Sequence, residues 1–268
     1  MTSATIDAGP RPTETARRHV PQWLISGVAA VAILGLWEAL GLAKIASGNV
    51  PAPTQIVAKI FEDGWGFYEP NISQTLREAG QGWLWGNGIA ITLALLCVLI
   101  PFAERVVMRI AIAAYALPII AIGPILHIIS PIGDMPMVAL SALTCFFTTL
   151  IGAAVGLRSV DQSSMDLIRA YGGGSWSQLV KVRLRASLPS LFAGLRIAAP
   201  TALLGAIIGE YLGADNGMGV AMIASQQAHE VARTWGIAAV ATVLAGIGYA
   251  ITAFVGRQLT PWVPRSRP

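Results

Sequence analysis

Charge is what this chain has least of. Only 12% of its 268 residues are charged, whereas 54% are hydrophobic and the mean hydropathy is +0.63. A soluble domain carries about a quarter charged residues, so an ordinary water-soluble fold is excluded. The two cysteines, Cys97 and Cys145, fall inside apolar runs and suggest neither a disulfide framework nor a metal site. His19, His127 and His229 stand apart, without HExxH spacing, so no zinc site is indicated. His127 reads as a hydrogen-bonded packing residue. No G-x-x-x-x-G-K-[ST] occurs, and the triple glycine Gly172–Gly174 is followed by Ser-Trp-Ser, with no lysine to reach a phosphate. A Gly-x-Ser-x-Gly elbow is also missing. The chain is not expected to be an enzyme by itself or to hold a cofactor or metal.

What it has instead is long apolar runs. About 20 helical residues, each rising about 1.5 Å, cross a ~30 Å hydrocarbon core. Six runs meet that length, roughly Trp23–Ala43, Gly82–Pro101, Val106–Ile129, Pro136–Leu157, Leu191–Leu212 and Trp235–Val255. The first is not a signal peptide by pattern, because a long tail precedes it and Glu38-Ala39-Leu40 makes a poor cleavage site. The expected fold is an all-α membrane protein with about six transmembrane helices. Its expected parts are a disordered tail (1–21), a first helix (22–43), an extracytoplasmic or interfacial segment (44–81), a core (82–257) and a second tail (258–268). Within 44–81, "VPAPTQIVAKIFEDGW" predicts an interfacial helix. "GADNGMGVAMIASQQAHEVART" is too polar to span and predicts a re-entrant or surface segment.

Basic residues orient the helices, because Lys and Arg near membrane ends favour the cytoplasm. With the N-terminus inside, one side holds Arg11, Arg17, Arg18, Arg105, Arg109, Arg158, Arg169, Lys181, Arg183, Arg185, Arg257, Arg265 and Arg267. The other holds Lys44, Lys59, Arg77 and Arg233, and Arg196 lies just inside the fifth run. Thirteen against four places both termini in the cytoplasm. Bases dispersed over every inner loop are not a nucleic-acid footprint, and no nucleic-acid partner is expected.

The longest internal cytoplasmic loop is then residues 158–190, with "RAYGGGSWSQLVKVRLRASLP" at its centre. Ser163 and Ser164 can cap a helix through Asp166, Leu167, Ile168, Arg169 and Ala170. Gly172, Gly173 and Gly174 would end it, and Ser175 could cap a second helix. Helical spacing there puts Trp176, Leu179, Val180, Leu184 and Leu188 on one face, with Gln178, Lys181 and Arg185 on another. Pro189 is placed to start the next membrane helix. Such a segment either lies on anionic lipid or docks into a groove on a partner. The preceding helix and glycine hinge favour docking.

Here the residues resemble a family. Asp166-Leu167-Ile168-Arg169-Ala170-Tyr171-Gly172, followed by Leu188-Pro189, is similar to the "EAA" motif of permease subunits of binding-protein-dependent ABC importers. "GLRSVDQSSMDLIRAYGG" and "SLPSLFAGLRIAAPTALLGAIIGEYLGADNGMGVAM" resemble the nitrate, sulfonate and taurine branch. The likeness reaches from about Trp37-Glu38, through Val50-Pro51-Ala52-Pro53, to the sixth run. The motif's Glu is Asp166 here, its alanines are Leu167 and Ile168, and a frequent Pro is Arg185. The resemblance implies a type I importer permease in a bacterial inner membrane. It further implies a second permease copy forming a homodimer, an extracytoplasmic substrate-binding protein and two cytoplasmic ATPase subunits that bind ATP and Mg. Those ATPases would dock on the loop. The solute implied is small and anionic or heterocyclic.

Small residues four apart let membrane helices approach closely. Gly194, Ala198, Ala202 and Ala206 form one stripe of the fifth run, and Gly205, Gly209 and Gly213 another. They read as general packing or as a dimer interface and pathway. Glu210, at the membrane edge, either lines the outer mouth or pairs locally near the turn at Gly213. Pro118, Pro124, Pro131 and Pro136 break the third run and its exit, and Leu117, Ile120 and Leu126 between the breaks suit a hydrophobic gate. Two other classes remain open from the residues alone. A gradient-driven transporter or channel would show midplane carboxylates and inverted repeats. A membrane-embedded enzyme would cluster His, Asp or Ser in apolar runs. Neither pattern is seen.

Overall fold

The computed structural model describes residues 22–44, 48–130 and 133–263. The expected tail 1–21, the end of the second tail (264–268) and Pro131 lie outside the described residues. Every regular element among the described residues is a helix.

The first helix, α1 (Gln22–Leu42), belongs to a unit of its own that ends at Pro53. Within it, Trp37 Nε1 donates to the Pro51 carbonyl at 3.1 Å. The bulk of the chain begins with α2 (Pro53–Leu99), which breaks at Gly64 with φ 69° and ψ 174°. Only glycine enters that region without strain. The break separates a first helix up to Asp63 from a long rod that reaches Leu99 and starts well ahead of Gly82. The third run is two helices, α3 (Pro101–Ala116) and α4 (Ile119–Ile129), bent by 98°. The cause is Pro118, whose ring forces Leu117 out of the helical region to φ −72°, ψ 131°.

Next comes α5 (Met135–Arg158), with Pro136 in its first turn where a missing N–H costs nothing. A short helix α6 (Gln162–Ala170) leads to the turn α7 (Ser175–Gln178) and the long α8 (Leu184–Tyr211). The chain ends with α9 (Met218–Gln227) and α10 (Val231–Leu259). Among the described residues, five helices are long and apolar enough to cross a membrane, or six if the bent α3–α4 pair counts as one span.

Glycine sets the packing. A Cβ on Gly205 would lie 2.8 Å from the Ser141 Cα, and one on Gly209 2.8 Å from the Met137 Cα. Farther along, Gly156 faces Ser187 and Gly152 faces Gly194. α5 and α8 therefore run antiparallel, almost backbone to backbone. Gly86 does the same for α2, with a Cβ there 2.9 Å from the Ala142 Cα. Ala198, Ala202 and Ala206 are buried as well. The stripe expected at a dimer interface or pathway is thus spent, for Gly205 and Gly209, on α5 of the same chain. A polar pair of α2 and α5 is sealed inside: Thr149 Oγ1 donates to Asn87 Oδ1 at 2.5 Å.

At the end of the bundle away from α6, a charged clasp ties the first part of α2 to α10. Arg233 Nε and Nη2 donate to the two Asp63 carboxylate oxygens at 2.8 and 2.7 Å. The guanidinium also lies 5.2 Å from the Phe67 ring centre, and Lys59 Nζ approaches Asp63 at 3.3 Å.

Two outcomes follow for purified protein in detergent. Gly205→Leu destabilises by at least about 1–3 kcal/mol, because backbone atoms cannot yield to the new side chain. Gly88→Leu, where nothing lies within 4 Å of the new Cβ, leaves the thermal midpoint unchanged or higher. Arg233→Met removes two charge-assisted hydrogen bonds and leaves the buried Asp63 carboxylate with Lys59 alone, which costs about 1–3 kcal/mol. A thermal-unfolding series checks both; equal midpoints for Gly205→Leu and Gly88→Leu would refute the packing argument.

Candidate functional site

Two regions carry the residues singled out by sequence. The first is the loop between α5 and α8. α6 ends as a Schellman turn: Gly172, at φ +76°, donates from its N–H to the Arg169 carbonyl at 2.9 Å. Gly173 donates to the Ile168 carbonyl at 2.8 Å. This pattern satisfies the last carbonyls of a helix and needs glycine at the left-handed position. A Cβ on Gly173 would also meet the Ile168 carbonyl oxygen at 2.9 Å. The predicted glycine elbow is therefore present, while Gly174 has open space around it.

Other expectations about the loop are corrected. α6 starts at Gln162 with Asp161 before it, so Ser163 and Ser164 lie within its first turn and not at its cap. The second helix is not separate from the membrane helix. Ser175–Gln178 passes through a π-helical segment, Leu179–Arg183, straight into α8, and Pro189 sits inside this rod instead of starting it. Ser175 follows Gly174, and no side chain caps the turn. The predicted apolar face is also split. The wider π turn inserts a residue into the repeat, so Leu179 is buried at 3% exposure and Gln178 is buried too, while Trp176 and Val180 point outward. Leu179 packs in the cluster of Ala90, Ala94, Ala111, Leu150, Ala153 and Leu157.

The surface of the elbow is apolar. Tyr171 is 85% and Trp176 67% exposed, with Leu167 beside them in sequence on α6 and also exposed. Asp166 and Arg169 form an exposed i, i+3 pair at 3.2 Å on the same helix. Deeper in, Arg158 at the end of α5 pairs with Glu104 of α3. In the sequence Leu167 and Tyr171 stand only as parts of a motif; nothing in helical periodicity marks them as a surface.

The second region is the opposite end. Glu210 does not face an open mouth. It is buried, accepts from Thr75 Oγ1 on α2 at 2.6 Å and from the Gly219 backbone N–H on α9 at 2.6 Å. Thr75 Oγ1 in turn accepts from the Met218 N–H at 2.9 Å. Of the two readings left open, local pairing is the one seen. Thr75 and Glu78 escaped notice because their partner on α8 is more than a hundred residues away. Gly213, at φ +148°, turns the chain beside His127, whose Nδ1 lies 3.0 Å from the Gly123 carbonyl. Of the residues expected to gate, Leu117 and Ile120 are exposed at the bend, and Leu126 is half-buried on α4.

Among the described residues, no three His, Cys, Asp or Glu side chains gather as metal ligands. An open apolar groove of about 800 Å³ runs between α2 and α5, lined by Trp85, Ile89, Val138, Ala142 and Phe146 among others.

Comparison with known proteins places this architecture. Residues 86–265 match the family model described as binding-protein-dependent transport system inner membrane component. The formylaminopyrimidine transport permease protein ThiX of Halalkalibacterium halodurans is 29% identical over 170 residues, 63% of this chain and 68% of that protein. The taurine transport system permease protein TauC of Escherichia coli is 26% identical over 255 residues, 88% of each. Among solved structures, the inward-facing MetNI methionine ABC transporter superposes with a TM-score of 0.59 at 18% identity, covering 71% of this chain and 94% of that one. That likeness speaks for the fold. The chain belongs to the family of binding-protein-dependent ABC transporter permeases, the inner membrane components of these importers.

Proposed function

We propose that this permease forms one half of the translocation pathway of an ATP-driven importer in a bacterial inner membrane, with both termini cytoplasmic. Its partners are a second copy of the chain, two ATPase subunits that hold ATP and Mg, and an extracytoplasmic binding protein. The observation that carries the reading is the exposed set Leu167, Tyr171 and Trp176 around a rigid glycine elbow. A lipid-lying helix needs one continuous apolar face. These three side chains instead flank a turn, as anchors do that fill a partner's groove.

The elbow is also mounted to transmit force. Residues 175–211 form one rod, and Leu179 at its base is locked into the core. Closure of two ATPases on ATP would displace the loops and carry α8 with them, shifting the pathway between inward- and outward-open populations. The groove between α2 and α5 is open in a single copy, which supports a second copy closing the pathway. The exposure of Leu117 and Ile120 where α3 bends into α4 supports a gate formed there between copies. The thirteen-to-four distribution of basic residues supports the orientation.

The cargo is a small anionic or heterocyclic nutrient. Support comes from the names of relatives, which include formylaminopyrimidine, taurine and riboflavin permeases. Choice among such solutes falls to the binding protein.

Purification of the tagged chain in mild detergent from its own cell brings down a P-loop ATPase in stoichiometric amount. Trp176→Ala weakens that association about thirtyfold, the effect of losing a ~2 kcal/mol anchor. Gly173→Asp abolishes ATP-driven uptake while the protein still reaches the membrane. Charge at Leu179 is avoided, because that side chain is core. A chain that purifies with no ATPase, or uptake unchanged in both variants, contradicts the reading.

A further inference from the structure

Two carboxyl groups lie where water does not reach. Glu78 on α2 is 0% and Glu210 on α8 is 1% exposed, and Glu78 stands one helical turn along α2 from Thr75, whose hydroxyl donates to Glu210. Glu210 is otherwise surrounded by donors, the Thr75 hydroxyl and the Gly219 N–H, each at 2.6 Å. Glu78 differs. Its Oε1 accepts from Gln74 Nε2 at 2.7 Å, while its Oε2 is buried and receives no donor from the neighbouring groups.

The charged surroundings offer no relief. Arg77, next to Glu78 in sequence, turns to Asp134 at 3.8 Å, and Asp134 at the start of α5 adds negative charge on the same side. Tyr211 follows Glu210 on α8, Asp215 lies in the turn before α9, and α9 itself carries no titratable side chain. Two neighbouring carboxylates buried without a cation repel each other, and each loses its hydration. The turn before α9 lies close on the Glu210 carboxyl: a Cβ on Gly217 would lie 2.7 Å from Glu210 Oε2.

We propose that Glu78 and Glu210 form a proton-binding site, in which one proton sits on Glu78 Oε2 and is donated to the Glu210 carboxylate. The proton removes one buried charge and turns the orphan oxygen into the third donor of an acceptor-only group. The resulting acid–carboxylate pair pins α9. The Gly219 N–H is held by Glu210 and the Met218 N–H by Thr75, so the first turn of α9 is bolted to both α2 and α8. The inference goes beyond the importer reading and does not depend on the solute carried.

The roles are unequal, and that makes the site testable. Glu78→Gln replaces the O–H donor by an N–H donor and still accepts from Gln74. Glu210→Gln removes the charge on which three donors converge and turns an amide N–H toward one of them. The experiment is infrared spectroscopy of the full-length protein in lipid at neutral pH, with carboxyl-labelled glutamate, alongside thermal unfolding. Wild type shows the carbonyl band of a protonated glutamic acid, shifted by the label, and Glu78→Gln loses it. The unfolding midpoint of Glu78→Gln stays at the wild-type value, and that of Glu210→Gln falls. No protonated-glutamate band in wild type overturns the proposal, and this arm needs no variant to fold. A band that persists in Glu78→Gln, or a loss of stability that is equal in the two variants, overturns it as well.

Discussion

The close approach of α5 and α8 is the contact on which the rest of the structure depends. In lipid, apolar side chains gain little by leaving hydrocarbon for protein, so helices hold together by van der Waals fit and a few hydrogen bonds. Here glycines at Gly152, Gly156, Gly194, Gly205 and Gly209 remove the side chains between the two backbones along most of their length. α2 then packs against α5 through Gly82 and Gly86. With these three helices fixed in register, Thr75 meets Glu210 and Asn87 meets Thr149, and both pairings lie across helices far apart in sequence.

The same rigidity gives the loop its meaning. Its first half ends in a turn that only glycine completes, and its second half is the root of α8. Apolar groups at the elbow are exposed although the backbone turn beneath them is closed by the Gly172 and Gly173 hydrogen bonds. Such a surface is stable as built and gains by being covered. Motion imposed on it passes into a packed helix pair, because Ser175–Tyr211 runs as one continuous helix through the π turn, and Leu179 clamps that turn.

Much of this was legible in the sequence, for local reasons. Apolar run length gave the spans, Pro118 gave the bend in the third run, and Gly172-Gly173-Gly174 gave the elbow. Each depends on a residue's own backbone or on its neighbours within one turn. What escaped depends on partners or on register. A π turn at Leu179–Arg183 rotated Gln178 inward and Trp176 outward, and no helical period of 3.6 anticipates it. Small-residue spacing announced close contact on α8 but not its partner, which proved to be α5 of the same chain. Glu78 looked like an ordinary polar residue ahead of an apolar run; its burial against Glu210 follows only from the fold.

The most direct test of the coupling account is photocrosslinking in native membranes. A photoreactive amino acid at position 171 occupies the most exposed point of the elbow. The account predicts an adduct with a P-loop ATPase subunit, identified by mass, formed in membranes that also contain the binding protein. An adduct with lipid alone would mean that the elbow lies on the membrane surface and would contradict the account.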